Sequence, residues 1–496
     1  MKNKNLASTA SLRFNTLIFT MHRILGTLLS CVFLMWFLTG IVMVYHGNFP
    51  RPDRTGRQNK LEALSATTDT FPVLDSLLQG KSYRQLTLDR YMGHTAFHIT
   101  LPDTTLDLTP EGTPDVAVVN DTYRKQVLEA WCKSPIERVD TLQDLDQWVP
   151  FSSNYAQLPI LKYYFSDDEN HQLYMGLNTA KVLQFTSSEQ RFWAWIGPIP
   201  HWIYFTWLRT DVTLWSDVVC WIAGIGCFMV LTGIYSAVVV WNRSRKKQKF
   251  SPYKKKWYHW HYVLGFIFGL FCITYAFSGL MSLADVPEWI SKSNLDFRPQ
   301  MELMMEHPDS FQLDYRKVLE AYPQCTQLEW SHAGKHPVYK VSQKDAEPLT
   351  IDASSPQVKP LSLSEEDVKQ MISGIYQKHG VAIGELQPEL IEKGELYYRS
   401  RDEKAYPVYK ISINDADHGV FYVNPRDGST RYVDTTSRWG YWMYTALHTL
   451  RFPGIMEHEW LRQLLQWILM LGGASVSLTG IVLGIRYMVR QIKKLG

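Results

Sequence analysis

The chain has 496 residues, of which 46% are hydrophobic, 14% aromatic and 20% charged, with a formal net charge of +3. The average would suit a soluble protein, but the apolar residues are gathered into four long runs separated by ordinary globular sequence, so the mean blends two environments. The small positive charge comes from short basic segments, and no nucleic-acid partner is expected from it.

Residues 1–23 read as a short N-terminal segment, followed by a first spanning helix over 24–45. Its apolar run, Ile24 to Tyr45, is longer than the core of a signal peptide and is followed by His46-Gly47-Asn48-Phe49-Pro50 rather than a small-x-small cleavage site, so it is expected to be retained. A globular stretch over 46–213 leads to a second spanning helix at 214–241, a basic link at 242–261 and a third helix at 262–284. A second globular stretch over 285–460, a fourth helix at 461–485 and a tail at 486–496 complete the chain. The runs Ile24–Tyr45, Val218–Trp241, Tyr262–Ala284 and Leu464–Ile485 contain no Asp, Glu, Lys or Arg, and each is long enough to cross about 30 Å of hydrocarbon.

The link between runs two and three carries Arg243, Arg245, Lys246, Lys247, Lys249, Lys254, Lys255 and Lys256 with no acidic residue, and the C-terminus adds Arg486, Arg490, Lys493 and Lys494. Basic flanks mark the cytoplasmic side, so both termini and this link are expected inside and both globular stretches outside. Of the six cysteines, Cys31, Cys220, Cys227 and Cys272 fall in apolar runs, and Cys132 and Cys325 lie one in each outer stretch without CxxC spacing. That pattern predicts neither a disulfide framework nor a structural zinc site.

An internal repeat organises the whole chain. His22-Arg23-Ile24-Leu25-Gly26 matches His261-Tyr262-Val263-Leu264-Gly265, and Thr39-Gly40 matches Ser278-Gly279 at the same offset of 239 residues. At an offset of 247, Arg191 matches Arg438, His201 matches His448, Gly226 matches Gly473, and Leu231-Thr232-Gly233-Ile234 matches Leu478-Thr479-Gly480-Ile481. Each unit is helix, outer domain, helix, so the two copies are parallel repeats related by an axis along the membrane normal. That geometry pairs His22 with His261 near the inner face and His201 with His448 near the outer face.

Within the outer stretches, Leu158 to Phe165, Gln172 to Leu177 and Val182 to Phe185 read as short strands, as do Val408 to Ile413 and Gly419 to Asn424 before the Asp427-Gly428 turn. Ser364 followed by Glu365-Glu366-Asp367 reads as a capped helix start. Small α+β domains are expected, one in each half.

Histidine four residues before glycine, as in His22/Gly26 and His261/Gly265, puts both on one helix face, with the imidazole free to ligate a metal and the glycine leaving room for something flat. A single histidine at the headgroup level is more simply an amphipathic anchor, but four in two duplicated pairs favour axial ligation of haem iron. The Thr-Gly and Ser-Gly pairs are assigned mainly to helix packing. Arg191 and Arg438 are candidates for pairing with haem carboxylates, whereas His46 and His259 have no counterpart in the other half and are weaker ligand candidates. The tryptophans Trp193, Trp195, Trp202, Trp207, Trp439 and Trp442 read as an aromatic belt. His22 and Thr39 are separated by about 25 Å of helix, so two haems, not one, would be needed to bridge the bilayer.

The pattern resembles the PepSY-associated transmembrane proteins, a family of bacterial inner-membrane proteins that includes ferric-siderophore reductases. The residues that carry the resemblance are His22-x3-Gly26 with Thr39-Gly40, His261-x3-Gly265 with Ser278-Gly279, the two Leu-Thr-Gly-Ile segments and the Tyr422-to-Gly428 strand and turn, which looks like a PepSY hairpin. The resemblance implies a four-helix bundle with two periplasmic α+β PepSY-like domains, haem b on the helix histidines, and reduction of a periplasmic ferric siderophore or other ferric chelate. No flavin or nicotinamide domain follows the fourth run, so membrane quinol or a separate cytoplasmic reductase is the expected electron donor. A competing expectation is a membrane-anchored protein whose outer domains bind or regulate a partner such as a protease without redox chemistry.

Overall fold

The computed structural model describes the chain except residues 1, 52–53, 65–70, 73–82, 102–103, 114–118, 246–249, 306–310, 345, 399–402 and 496. Lys246, Lys247 and Lys249 of the basic link therefore lie outside the described residues. Four helices, Lys2–Met43, Val212–Arg245, Lys256–Leu280 and Glu459–Leu495, carry segments long and apolar enough to cross a membrane. They extend beyond the apolar runs, because a helix needs only satisfied backbone hydrogen bonds to continue past the hydrocarbon. Leu28, Leu38, Trp221, Leu231, Ile267, Leu270, Leu471 and Ile485 point outward and are exposed, as side chains facing lipid should be. The inner seam packs Phe33, Phe37, Met229, Val230, Cys272, Ala276, Met470 and Ala474.

Small residues set how closely the helices approach. Gly226 meets the ring of Phe33, Gly473 that of Phe37 and Gly472 that of Phe268, each so near that a Cβ would lie 2.3 to 2.7 Å from the ring. Phenylalanine rings thus enter grooves that only glycine leaves open.

The stretches between the helices fold into antiparallel sheets. The first contributes β1 (Gln85–Tyr91), β2 (His94–Thr100), β3 (Thr105–Leu108), β4 (Ile136–Leu142), β5 (Ile160–Phe165), β6 (Gln172–Gly176) and β7 (Val182–Thr186). The second contributes β8 (Cys325–Ala333), β9 (His336–Gln343), β10 (Leu349–Asp352), β11 (Glu389–Ile391), β12 (Val408–Ser412), β13 (Val420–Val423) and β14 (Thr430–Val433). Two four-stranded sheets form in sequential order, β4-β5-β6-β7 and β11-β12-β13-β14. The helix Glu365–Lys378 begins with a capping box between Ser364 and Asp367, as its sequence predicts.

The third sheet departs from the expectation of one independent domain per half. Its order is β10-β9-β8-β1-β2-β3, so strands of both stretches join edge to edge. β1 pairs with β8 antiparallel, setting Leu86 opposite Trp330 and Leu88 opposite Leu328. One core serves both sides, with Leu86, Leu88, Phe97 and Ile99 packed with Leu328, Trp330, Tyr339 and Val341. Pairing removes two exposed strand edges that would otherwise template aggregation. At this seam the buried Asp89 accepts two hydrogen bonds from Arg57 of its own stretch at 2.7 and 3.0 Å and one, across the seam, from Gln327 at 3.3 Å.

Candidate functional site

At the bundle end that carries the basic link, His22 of the first spanning helix faces His261 of the third, with ring centroids 6.2 Å apart and planes inclined by 33°. At the other end His201 and His448 face each other, also with centroids 6.2 Å apart, at 66°. A metal–imidazole bond of about 2 Å places the ring centroid about 3 Å from the ion, so two rings on opposite sides of one ion stand about 6 Å apart. Both pairs have that separation.

Ring orientation follows from what each Nδ1 touches. His22 Nδ1 lies 3.0 Å from the carbonyl of Met229, which can only accept, so Nδ1 carries the proton. His201 Nδ1 lies 3.0 Å from the Thr39 hydroxyl, His261 Nδ1 2.9 Å from that of Thr479, and His448 Nδ1 3.0 Å from that of Ser278. Those hydroxyls already donate to carbonyls of their own helices: Thr39 to Met35, Thr479 to Val476 and Ser278 to Tyr275. With its proton committed, each hydroxyl can only accept from the imidazole. The hydrogen-bond network thus assigns Nδ1–H to all four neutral rings and leaves every Nε2 lone pair for a ligand.

The Thr-Gly and Ser-Gly pairs, assigned to packing on sequence grounds, are therefore the supports of the histidines. A Cβ at Gly40 would lie 3.5 Å from His201 Cε1, at Gly279 3.8 Å from His448, at Gly480 3.5 Å from His261, and at Gly233 only 2.6 Å from His22. In each helix the hydroxyl residue turns toward a ring, directly or through the Met229 carbonyl to which Thr232 donates at 2.7 Å, and the next residue has no side chain so that the ring fits. The signal was present in the sequence as a Ser/Thr-Gly pair recurring in all four helices. What it lacked was the direction in which each pair faces.

The outer histidines come from short helices, not from the spanning ones. His201 sits on Pro198–Trp202 and His448 on Leu447–Thr449. Both helices end in a left-handed residue, Ile203 at φ 54° and Leu450 at φ 53°, a conformation costly for bulky side chains. A π-helical turn, Tyr441–Ala446, leads directly into the second of them. Such departures from regular geometry are held in place only by surrounding structure, and they aim the two rings at each other.

A cavity of about 460 Å³ opens beside the His22–His261 pair. Gly26 and Gly265 line it, and a Cβ at either would meet nothing within 4 Å. Arg23, Arg490, Tyr253, Tyr258 and Tyr487 also border it, with the Arg23 guanidinium 4.6 Å over the Tyr487 ring. Among the described residues, the Tyr262 and Tyr275 hydroxyls and the Trp36 indole N–H are buried without a hydrogen-bond partner. Tyr262 lines this cavity and Tyr275 stands edge-on to His448 at 5.9 Å. Glycine walls, basic groups and orphaned polar atoms beside paired imidazoles fit a flat, anionic, metal-centred group.

The two arginines singled out in the sequence are engaged elsewhere. Arg191 donates to the Thr186 carbonyl and hydroxyl at 3.0 and 2.9 Å and to the Asn170 carbonyl at 2.7 Å, and Arg438 donates to the His418 carbonyl at 2.7 Å. Both tie a sheet turn to the helix that follows it. His46 is stacked on Trp193 at 3.8 Å, and His259 stands edge-on to Trp260.

Four apolar helices with extramembrane sheets and buried, paired histidines define a multi-pass membrane protein. The family model for the PepSY-associated TM region matches residues 19–486, and the chain belongs to that family. No curated protein sequence matches it.

Proposed function

We propose that the chain is built of two tandem parallel units and carries electrons across a bacterial inner membrane through two b-type haems to a periplasmic ferric siderophore or other ferric chelate. The observation that carries this reading is the pair of 6.2 Å histidine separations, with all four Nδ1 atoms already hydrogen-bonded and all four Nε2 atoms left to coordinate. His22 and His261 would hold one haem and His201 and His448 the other. Bound haem would supply reversible one-electron chemistry at these histidines.

The protein's own part is positional and electrostatic. Thr39, Ser278, Thr479 and the Met229 carbonyl fix the rings, and Gly26 and Gly265 leave flat space beside the inner pair. Arg23 and Arg490, which border that cavity, are better placed than Arg191 and Arg438 to neutralise its carboxylates. The two pairs are separated by about 25 Å along the first helix, and from Phe33, which lines the inner cavity, aromatic rings lead to the outer pair: Phe33 to Phe37 at 6.2 Å, Phe37 to Tyr275 at 6.0 Å, and Tyr275 to His448 at 5.9 Å. One electron per ferric ion weakens its hold on hard oxygen donors and frees Fe(II). Membrane quinol or a separate cytoplasmic reductase would supply the electron.

Orientation rests on charge. Arg243, Arg245, Lys254, Lys255 and Lys256 gather at the helix ends opposite the sheets, with Arg490, Lys493 and Lys494 of the last helix, and this basic excess supports a cytoplasmic location for that face and a periplasmic one for the sheet domains, PepSY-like in this reading.

The test is a reduced-minus-oxidised visible spectrum of detergent-purified, haem-replete protein, with haem counted per chain. Two b-type haems are expected, with His261→Ala and His448→Ala each losing one and with it ferric-chelate reduction. A featureless spectrum would overturn the reading and leave an anchored domain that binds a periplasmic partner.

A further inference from the structure

We propose that Cys132, Asp167 and His171, in the sheet domain of the first stretch, form a binding site for one borderline divalent transition-metal ion of the Zn²⁺ class. The site lies outside the bundle and does not depend on the haem reading.

A thiol, a carboxylate and an imidazole converge there, their ligand atoms all within 4.8 Å of one another. Cys132 is the C-cap of the helix Asp121–Trp131, and Asp167 and His171 flank the turn from β5 to β6. Asp167 Oδ2 accepts from Cys132 Sγ at 3.5 Å and from His171 Nδ1 at 2.9 Å. Mixed S, N and O donors at these separations suit a tetrahedral ion with bonds of about 2.0 to 2.3 Å, and three protein ligands leave a fourth position for water.

The surroundings are those of a supported ligand set. The far side of the imidazole, Nε2, lies 3.2 Å from Glu169 Oε2, and the ring is stacked on Phe185 at 4.6 Å with the planes 5° apart. A carboxylate on the outer nitrogen fixes the tautomer of a metal-bound histidine. Arg191 and the Ser188 N–H hold the turn through the Asn170 and Glu169 carbonyls. On binding, the Cys132 thiol and His171 Nδ1 each give up a proton to solvent, and Nε2 keeps the N–H that it donates to Glu169.

The turn itself does not need these donors. In the other four-stranded sheet, the β12-to-β13 turn is held by Asp415, which accepts from the Gly419 N–H at 2.9 Å as Asp167 does from the His171 N–H at 3.0 Å. There, however, the second partner is the Tyr376 hydroxyl at 3.0 Å, and the residue in the histidine's place has no side chain. Turn formation accounts for the aspartates; it does not account for Cys132 and His171. CxxC spacing could not reveal them, because two of the donors share a turn and the third comes from a helix end.

The test uses the full chain in detergent with Zn²⁺ alone. Carbamidomethylation of Cys132, followed by peptide mass spectrometry, is expected to slow at least about tenfold when Zn²⁺ is added. By equilibrium dialysis, wild type should bind one more Zn²⁺ per chain than Cys132→Ser or His171→Ala, and Glu169→Gln should bind it about tenfold more weakly. Equal alkylation rates with and without Zn²⁺ would overturn the proposal without reference to any variant, and so would equal zinc uptake by wild type and Cys132→Ser.

Discussion

Gly233 offers the sharpest perturbation of the histidine geometry. A Cβ there would stand 2.6 Å from His22 Cε1, 3.0 Å from Nδ1 and 3.3 Å from Nε2. Carbon atoms pack comfortably at about 3.5 to 4.0 Å, so in Gly233→Ala the ring must retreat by roughly 1 Å. Such overpacking costs about 1 to 3 kcal/mol, against a gain of about 0.5 to 1 kcal/mol for alanine over glycine within a helix. Retreat also stretches the 3.0 Å bond from His22 Nδ1 to Met229 or moves the ring off its position opposite His261. A displaced ligand shell lowers metal affinity by about 10- to 100-fold. Gly26→Ala is the companion, since its methyl group meets no protein atom within 4 Å but projects beside the cavity. Haem per chain and thermal unfolding, measured on both variants, separate the effects. Gly233→Ala should be less stable and lose the inner haem, while Gly26→Ala, without cofactor, should be more stable than wild type by about 0.5 to 1 kcal/mol yet bind less haem. A Gly233→Ala protein with two haems and an unchanged spectrum would refute the reasoning.

Thr479→Val keeps the shape of the side chain but removes the hydroxyl that accepts from His261 Nδ1–H, at a cost of about 1 kcal/mol. Competition with an apo-haem acceptor protein should find the inner haem released about 10- to 100-fold more readily, and the outer haem unaffected. Ser278→Ala should do the reverse through His448, as the same competition assay would read from the other haem. In the sheet domain, burial works against a charged His98, but its hydrogen bonds to Asp107 and Asp89 and their charges prevail and raise it to about 9. The stabilisation from His98 is therefore complete below its usual 6.5 and lost as pH rises through about 9, which denaturant midpoints across that range will show. Burial likewise opposes ionisation of Asp89, while His98 and Arg57 lower it to about 2, so its contribution persists until strongly acid pH. Asp89→Asn, which breaks the bidentate bond to Arg57, should cost about 2 kcal/mol in the same denaturation experiment.

Much of this architecture was readable from residue order because its causes are local. Uninterrupted apolar runs must be helices in lipid, where no other backbone conformation satisfies itself, and four such runs are four spans. The matched repeat segments mark His22, His201, His261 and His448 as a set in the sequence itself, and Ser364 with Asp367 announces its helix because a cap acts within one turn. The remainder depended on which way things face and what lies across from them. Thr39 and Thr479 become supports of histidines only when helices distant in sequence are set side by side; Arg191 and Arg438, conspicuous in the repeat, turn out to bind backbone carbonyls. The sheet shared through β1 and β8 was equally hidden, since a strand's sequence records which face is buried but not which edge it will find. The convergence of Cys132 with Asp167 and His171 depends on a helix end meeting a turn. Periodicity and local hydrogen bonding belong to the sequence; direction, partner and distance across more than a few turns belong to tertiary packing, because only packing brings residues such as 22 and 261 to within reach of one ion.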